Sequence, residues 1–449
     1  MPTMNDALRR IKGNLSRFLP ARLLARLASQ TGKATRKRTL TPQTTTSLFF
    51  RQILQGNIPV GELRRLAGID FTESAYCQAR GRLSLGYFQS LNREIANDAE
   101  EHLRRDRRGR WRRKHRVFLL DGSSFSMPDT AELREAFGYP PGQKEGCGFP
   151  TAHLLIRTDL CHGTILDVLA APWITHDLAR ARHAHSGLRE GDVVVADRAF
   201  CSYAHLALLS QRGVHAVMRA HQRQHVDFTP GRGHADEGTP RGERAGKPRS
   251  RWVRSLGSED QVVEYFKPKE CPGWMSPEEY ESLPASLLVR ELRVKVLQEP
   301  RRVEEVTLVA TVLDPGEHPK RAVGELFESR WGVEEHLKAL KVQLHLRVLR
   351  THTVLGVLKE LYVTVSIYNL VRRVMSEAAR NQNVRPDRIS FADALYWLRY
   401  ADSGEKVPTL KLIPQRPGRA EPRVKKRRDN RYPLMTVPRE KAKQRLREK

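Results

Sequence analysis

Cysteine is scarce in this 449-residue chain: Cys77, Cys147, Cys161, Cys201 and Cys271 are an odd five, scattered, with no C-x-x-C pair. That spacing argues against a disulfide framework and a thiolate zinc site, and fits thiols kept reduced, as in a cytoplasm. Long apolar runs are missing too. None approaches the roughly 18 residues needed to cross a bilayer. The N-terminus has no continuous apolar core followed by a small-residue cleavage site, so no secretory signal is expected. Acidic residues are in short supply: 51 against 79 basic ones, a formal net charge of +28. Such an excess must face a polyanion or extend into solvent. Nucleic acid is the expected partner and an anionic membrane surface the rival. At 39% hydrophobic residues the chain can still bury a sizeable core, and its length allows roughly two to four domains.

The charge is unevenly spread. Residues 1–40 hold ten basic residues and one acid; residues 415–449 hold fourteen and four, centred on Lys425, Lys426, Arg427 and Arg428. Both ends read as electrostatic arms around a less charged body. In the first, Leu8, Ile11, Leu15, Phe18 and Leu19 recur at helical spacing, and Leu23, Leu24 and Leu27 continue after Pro20. That pattern serves DNA or a membrane surface, and DNA is favoured because nothing else points to a membrane. Residues 41–110 read as short helices. Thr44 or Ser47 caps the first, Gly56 to Pro59 breaks it, Glu62 to Ala67 forms the second, and a third follows Thr72 or Ser74. The set suits a helix-turn-helix-like DNA-binding domain, although three short helices also simply pack. Residues 104–116, RRDRRGRWRRKHR, form a basic stripe suited to phosphates. Within it Trp111 either stacks on a base or anchors the stripe to the core.

Two apolar runs then end in the same way: VFLLD at Asp121 and VVVAD at Asp197. Continuous β-prone runs of this length suit strands buried on both faces. An acid at the end of such a strand sits at the sheet rim, where ligands bind in open α/β sheets. Between the runs, His153–Ile156 and Ile165–Ala170 read as strands and 177–189 as a helix; after them, 203–212 reads as a helix and Val214–Arg219 as a strand. The order resembles a ribonuclease-H-like α/β core. Residues 220–250 turn to Gly, Pro, Arg and His, a flexible loop. Segments 261–266, 287–297 and 303–313 read as antiparallel strands of a β-rich insertion.

Residues 327–341, FESRWGVEEHLKALK, carry the rest. At about 100° per residue, Phe327, Arg330, Glu334 and Lys341 fall within a wedge of roughly 60° on one helix face. Taken alone, such a face is a solvated one with Glu–Lys pairs, and Asp121 and Asp197 are each turn residues. Taken together, two strand-end aspartates and a helical glutamate make a hard oxygen site. Such sites suit Mg2+ or Mn2+, and two ions there can serve in-line phosphoryl displacement. Asp121 is the choice for the bridging carboxylate, with Asp197 on one ion and Glu334 on the other. The guanidinium of Arg330 and the ammonium of Lys341 match a DNA backbone. Phe327 would pack against sugar or core, and Trp331 would stack on a displaced base or pack inward. His153, His162, His176 and His183 show no ligand spacing.

Tyr-x2-Arg-x3-Glu-x6-Lys is the signature of DDE transposases of bacterial insertion sequences, the insertion-sequence-four family, which this chain resembles from about residue 110 to the tail. Spacing matches at all four positions; Phe327 stands where the family has Tyr. The resemblance implies a ribonuclease-H-like core with a strand insertion before the Glu-bearing helix. It further implies metal-dependent excision and strand transfer by cut-and-paste, a hairpin intermediate, no ATP, and a homodimer holding double-stranded transposon ends and target DNA. The expected division is a basic arm (1–40), a helical DNA-binding domain (41–110), the core's first part (111–222), the β-rich insertion (223–318), the core's second part (319–375), and a helical segment with basic tail (376–449). A metal-dependent nuclease without strand transfer and an inactive DNA-binding protein are the rival readings. A bacterial cytoplasmic, nucleoid-associated location is expected, away from membranes.

Overall fold

The computed structural model describes residues 19–30, 39–105, 109–140, 146–175, 177–233, 248–298, 302–401, 405–414 and 437–448. Residues 1–18 of the amphipathic arm, the basic cluster 33–38, residues 106–108 of the stripe, residues 234–247 of the loop and the tail centre at 415–436 lie outside the described residues.

The N-terminal part is helical: α1 (Ala21–Ser29), α2 (Pro42–Leu54), α3 (Val60–Ala67), α4 (Glu73–Arg82) and α5 (Leu85–Arg105). α2 starts earlier than expected. Pro42 takes the first helical position, where its missing N–H costs nothing, and the Thr41 hydroxyl accepts from Thr44 N. Gly68 closes α3 in the left-handed region at φ 62°. α1 turns Leu24, Leu27 and Ala28 into the main core, so its apolar face is spent inside the protein. α5 was not foreseen. Ser84 caps it, accepting from Tyr87 N at 3.1 Å, and Tyr87, Phe88, Leu91 and Ile95 bury one face.

Beyond these helices runs a sheet: β1 (Val117–Ser126), α6 (Ala131–Phe137), β2 (Thr151–Asp159), β3 (Ile165–Pro172), α7 (Asp177–Ala181), β4 (Val193–Ala196), α8 (Tyr203–Gln211), β5 (His215–Arg219), β6 (Ser250–Gly257), β7 (Asp260–Phe266), α9 (Pro277–Glu281), β8 (Ser286–Gln298) and β9 (Arg302–Ala310). The strand order is β3-β2-β1-β4-β5-β9-β8-β7-β6. β1 runs antiparallel to β2 and parallel to β4, and β5 runs parallel to β4. Both faces are covered. Val117, Leu119, Val193 and Val195 enter one core, and Phe118, Leu120, Val194 and Ala196 enter the other. That is why these segments read as unbroken apolar runs.

Two expectations need correction. β1 does not end at Asp121; it continues to Ser126 because Gly122–Ser126 still pair with β2. The helix expected over 177–189 is only α7 with a 3-10 turn at Arg182–His185. The strands expected in the β-rich insertion join the core sheet, where β9 pairs antiparallel with β5. β6, unforeseen, is its outer edge, mostly exposed and twice shifted in register. The bulges and Arg251 and Arg254 on it are devices that blunt edges.

The C-terminal part comprises α10 (Lys320–Glu328), α11 (Trp331–Lys338), α12 (Val354–Asn381), α13 (Phe391–Tyr400) and α14 (Arg439–Arg447). α12 is long and apolar enough to cross a membrane, contrary to the sequence expectation, but 72% of its apolar window is buried inside the protein. It is the central helix against which α2, α5 and α13 pack.

Candidate active site

Register brings the two aspartates together. In the parallel β1–β4 pair Leu120 lies opposite Ala196, so the next residues, Asp121 and Asp197, stand side by side, one strand spacing of about 4.8 Å apart. Alternation puts both on the face of Leu119 and Val195. That face is crossed by α11, whose Val333 and Leu337 are buried in the same core. Glu334 lies between them in sequence and points to the rim. Asp121, Asp197, Arg330, Glu334 and Lys341 all line one open cavity of about 420 Å³, together with Gly122, Leu337, Lys338, Val342 and Arg347.

The continuous helix expected over 327–341 is three segments. α10 stops at Glu328, where the Ser329 hydroxyl donates to Leu326 O and competes with helical bonding. Arg330 N and Val333 N then bond three residues back, to Phe327 O and Arg330 O. After α11 the chain widens into a π-turn over Ala339–Gln343, with Leu344 N donating to Ala339 O. Such widened turns recur at functional sites because they re-aim a side chain. Here the turn carries Lys341.

Arg330 sits amid the acids. Its guanidinium is 3.2 Å from Glu334 Oε1 and 3.6 Å from Asp121 Oδ2. Its carbon lies 5.8 Å from the Phe327 ring centroid and 5.4 Å from that of Trp331. The two aromatics therefore flank the arginine, within cation–π reach. Phe327 is 5% exposed and belongs to the core, one of the two settings expected for it. Trp331 does not line the cavity either.

Burial pushes the Asp121 carboxyl up to about 6; the Gly122 N–H and Arg330 pull it down, and Glu334 and Asp197 push it further up. Burial also raises Glu334, with Arg330 opposing and Asp197 adding to the rise. Burial lowers Lys341, assisted by Arg347. Three mutually repelling carboxylates in one polar cavity, with only oxygen donors, fit a hard divalent cation. Among the described residues, the group whose ligand atoms all lie within 4.8 Å is a different one: His115, Glu317 and His318.

Residues without a role in the sequence reading complete the site. Arg347, Lys341 and Val342 are shared with a second cavity of about 450 Å³, also lined by Gly56, Asn57, His345 and Arg350. Together the two form a basic groove from the acids to the α2–α3 turn. Buried Glu360 ties that turn down, accepting from Asn57 Nδ2, from the backbone N–H groups of Arg350 and Thr351, and from the Thr351 hydroxyl. His336 holds α11: burial keeps it at about 3 and neutral, and its Nδ1 lies 2.7 Å from the Tyr368 hydroxyl, which donates to Gly163 O. The density of Arg and His just after Lys341 was a visible signal; the Glu360 and Gly163 contacts, between residues far apart in the chain, were not.

Residues 112–370 match the family model described as the transposase DDE domain. The chain is 24% identical over 466 residues to the transposase InsG for insertion sequence element IS4 of Escherichia coli K12, covering 95% of each. It is also 29% identical over 143 residues to the "Putative transposase InsZ" of the same organism, but there the match covers 31% of this chain and 46% of that protein. A piggyBac transposase synaptic complex with hairpin DNA, solved by cryo-EM, superposes with a TM-score of 0.43 at 10% identity, over 88% of this chain and 79% of that one. The family match spans more than half the sequence and includes both aspartates, the glutamate and Lys341, so the chain belongs to the DDE transposase family of bacterial insertion sequences.

Proposed function

We propose that the protein excises an insertion sequence and joins it to target DNA, with Asp121, Asp197 and Glu334 as the catalytic carboxylates. The observation that carries this reading is the β1–β4 register, which sets two aspartates level beneath the helix bearing Glu334. The strand order 3-2-1-4-5, with β1 antiparallel to β2 and parallel to β4, supports a ribonuclease-H-like core. These acids would hold two Mg2+ or Mn2+ ions, Asp121 bridging. When bound, such ions activate the attacking oxygen and stabilise the leaving one in an in-line displacement.

The chain's own residues do the rest. Arg330 neutralises the acids while the site lacks DNA, and its planar fork turns onto a phosphate at the scissile strand. Lys341 and Arg347 grip the flanking phosphates. His345 and Arg350 extend that track toward residues 41–110, proposed as the helical DNA-binding domain. Water attacks first at the transposon end; the freed 3′-hydroxyl then attacks the target strand. Cut-and-paste through a hairpin without ATP, and a homodimer on two ends, complete the proposal. The work is done in the bacterial cytoplasm on double-stranded DNA, and the basic ends raise the on-rate.

The test is joining. Pre-cut end DNA incubated with target plasmid and Mg2+ should yield recombinant product. Cleavage of end DNA without any joined product would instead assign a nuclease.

A further inference from the structure

A second cluster lies at the other end of the sheet. His115 precedes β1, and Glu317 and His318 lie between β9 and α10. His115 and Asp121 are six residues apart along an extended strand, which is about 20 Å, so this cluster is separate from the acids. His115 and His318 are 1% and 3% exposed. Their Nε2 atoms face each other at 3.1 Å. Two nitrogens bonded to one tetrahedral zinc ion at about 2.0–2.1 Å stand about 3.3 Å apart, so the rings need almost no movement.

The rings are also oriented as metal ligands are. His115 Nδ1 lies 2.6 Å from Gly191 O and must donate to it. That leaves the His115 Nε2 lone pair aimed at His318. A ring N–H held by a carbonyl while the other nitrogen points into a shared space is the support that ligating histidines have. Trp111 stacks on His318 at 4.9 Å, and the His318 carbonyl accepts from buried Arg290. The Glu317 carboxylate, within 4.8 Å of both ring nitrogens, is held by Lys114 at 2.5 Å. The turn that delivers His115 keeps Arg112 and Arg113 at φ 52° and 59°, a conformation that persists only where the surroundings enforce it.

We propose that His115, His318 and Glu317 bind one divalent ion of the zinc class, with water as fourth ligand, clamping the 110–116 turn to the β9–α10 connection. Two imidazoles and a carboxylate select such an ion over Mg2+, which prefers oxygen alone. Binding draws Glu317 from Lys114 onto the ion. The site is structural, and it stands whether or not the acids catalyse transposition.

The test uses full-length protein without a histidine tag, titrated with Zn2+ and, as a spectroscopic probe, Co2+. One Zn2+ per chain should bind in the presence of excess Mg2+, and Co2+ should give the visible absorption of tetrahedral coordination. Zn2+ should raise the unfolding temperature and a chelator lower it. Glu317→Gln, a substitution at an exposed side chain, should weaken binding at least tenfold, and His318→Gln should abolish it. The triple variant Asp121→Asn, Asp197→Asn, Glu334→Gln should bind Zn2+ as before. Absence of stoichiometric Zn2+ and Co2+ binding would overturn the proposal and leave an N–H···N hydrogen bond between neutral imidazoles. Binding unchanged in both Glu317→Gln and His318→Gln, or lost in the triple variant, would overturn it equally.

Discussion

Asp121 sits in an environment at odds with its charge. Burial beside Asp197 and Glu334 holds its carboxyl near 6 in the folded, metal-free protein, against about 3.9 in an unfolded chain. Folding thus favours the protonated form. The stability this contributes is complete below about pH 4 and lost as pH rises through about 6. Asp121→Asn removes that dependence. Denaturant melts of the two metal-free proteins should show the variant gaining on wild type between pH 4 and 7, by on the order of 2 kcal/mol; a flat difference would count against a carboxyl raised by burial. Phe327, in place of the family's Tyr, makes a second residue-scale case. Its ring is buried under Arg330, so Phe327→Tyr is expected to cost on the order of 1 kcal/mol of stability for the enclosed hydroxyl. End-DNA affinity in a filter-binding assay should stay the same; a gain in affinity would mean that the hydroxyl reaches the DNA.

At the scale of elements, sequence was most legible where burial is total. VFLLD and VVVAD announced β1 and β4 because both faces of those strands are covered, and the aspartates after them marked the site. Legibility failed where tertiary contacts choose the conformation. The bonds of Ser329 and the π-turn at Ala339–Gln343 break a helix that the charge pattern draws as continuous. Edge strand β6 hides because exposure erased its alternation. His115 and His318 lie some two hundred positions apart, so no spacing could pair them. Packing of α11 on α12 carries its own prediction. Gly163 stands at φ 66°, and a Cβ there would come 2.2 Å from His336 and 2.6 Å from Arg372. Gly163→Ala should therefore cost at least about 2 kcal/mol in a denaturant melt and, by displacing His336, reduce end cleavage through Glu334 two residues away. A variant as stable and active as wild type would show that α11 is not held there.

For the molecule as a whole, charge and fold divide the labour. The sheet and α12 share one buried core beneath the acids, while residues 1–40 and 415–449 carry most of the net +28. Deleting 415–449 should lower affinity for DNA of any sequence and flatten its dependence on salt, because fewer counterions are released. Melting temperature should stay near that of the full chain. An unchanged salt slope would remove the tail from the DNA contacts.

Cleavage of transposon-end DNA by the single-acid variants is the most direct measurement. Asp121→Asn, Asp197→Asn and Glu334→Gln, each assayed with Mg2+ beside a gel-shift of the same DNA, are expected to bind the end as wild type does and to leave it uncut. Wild-type cutting by any one of the three, with binding intact, would contradict a shared catalytic site at the ends of β1 and β4.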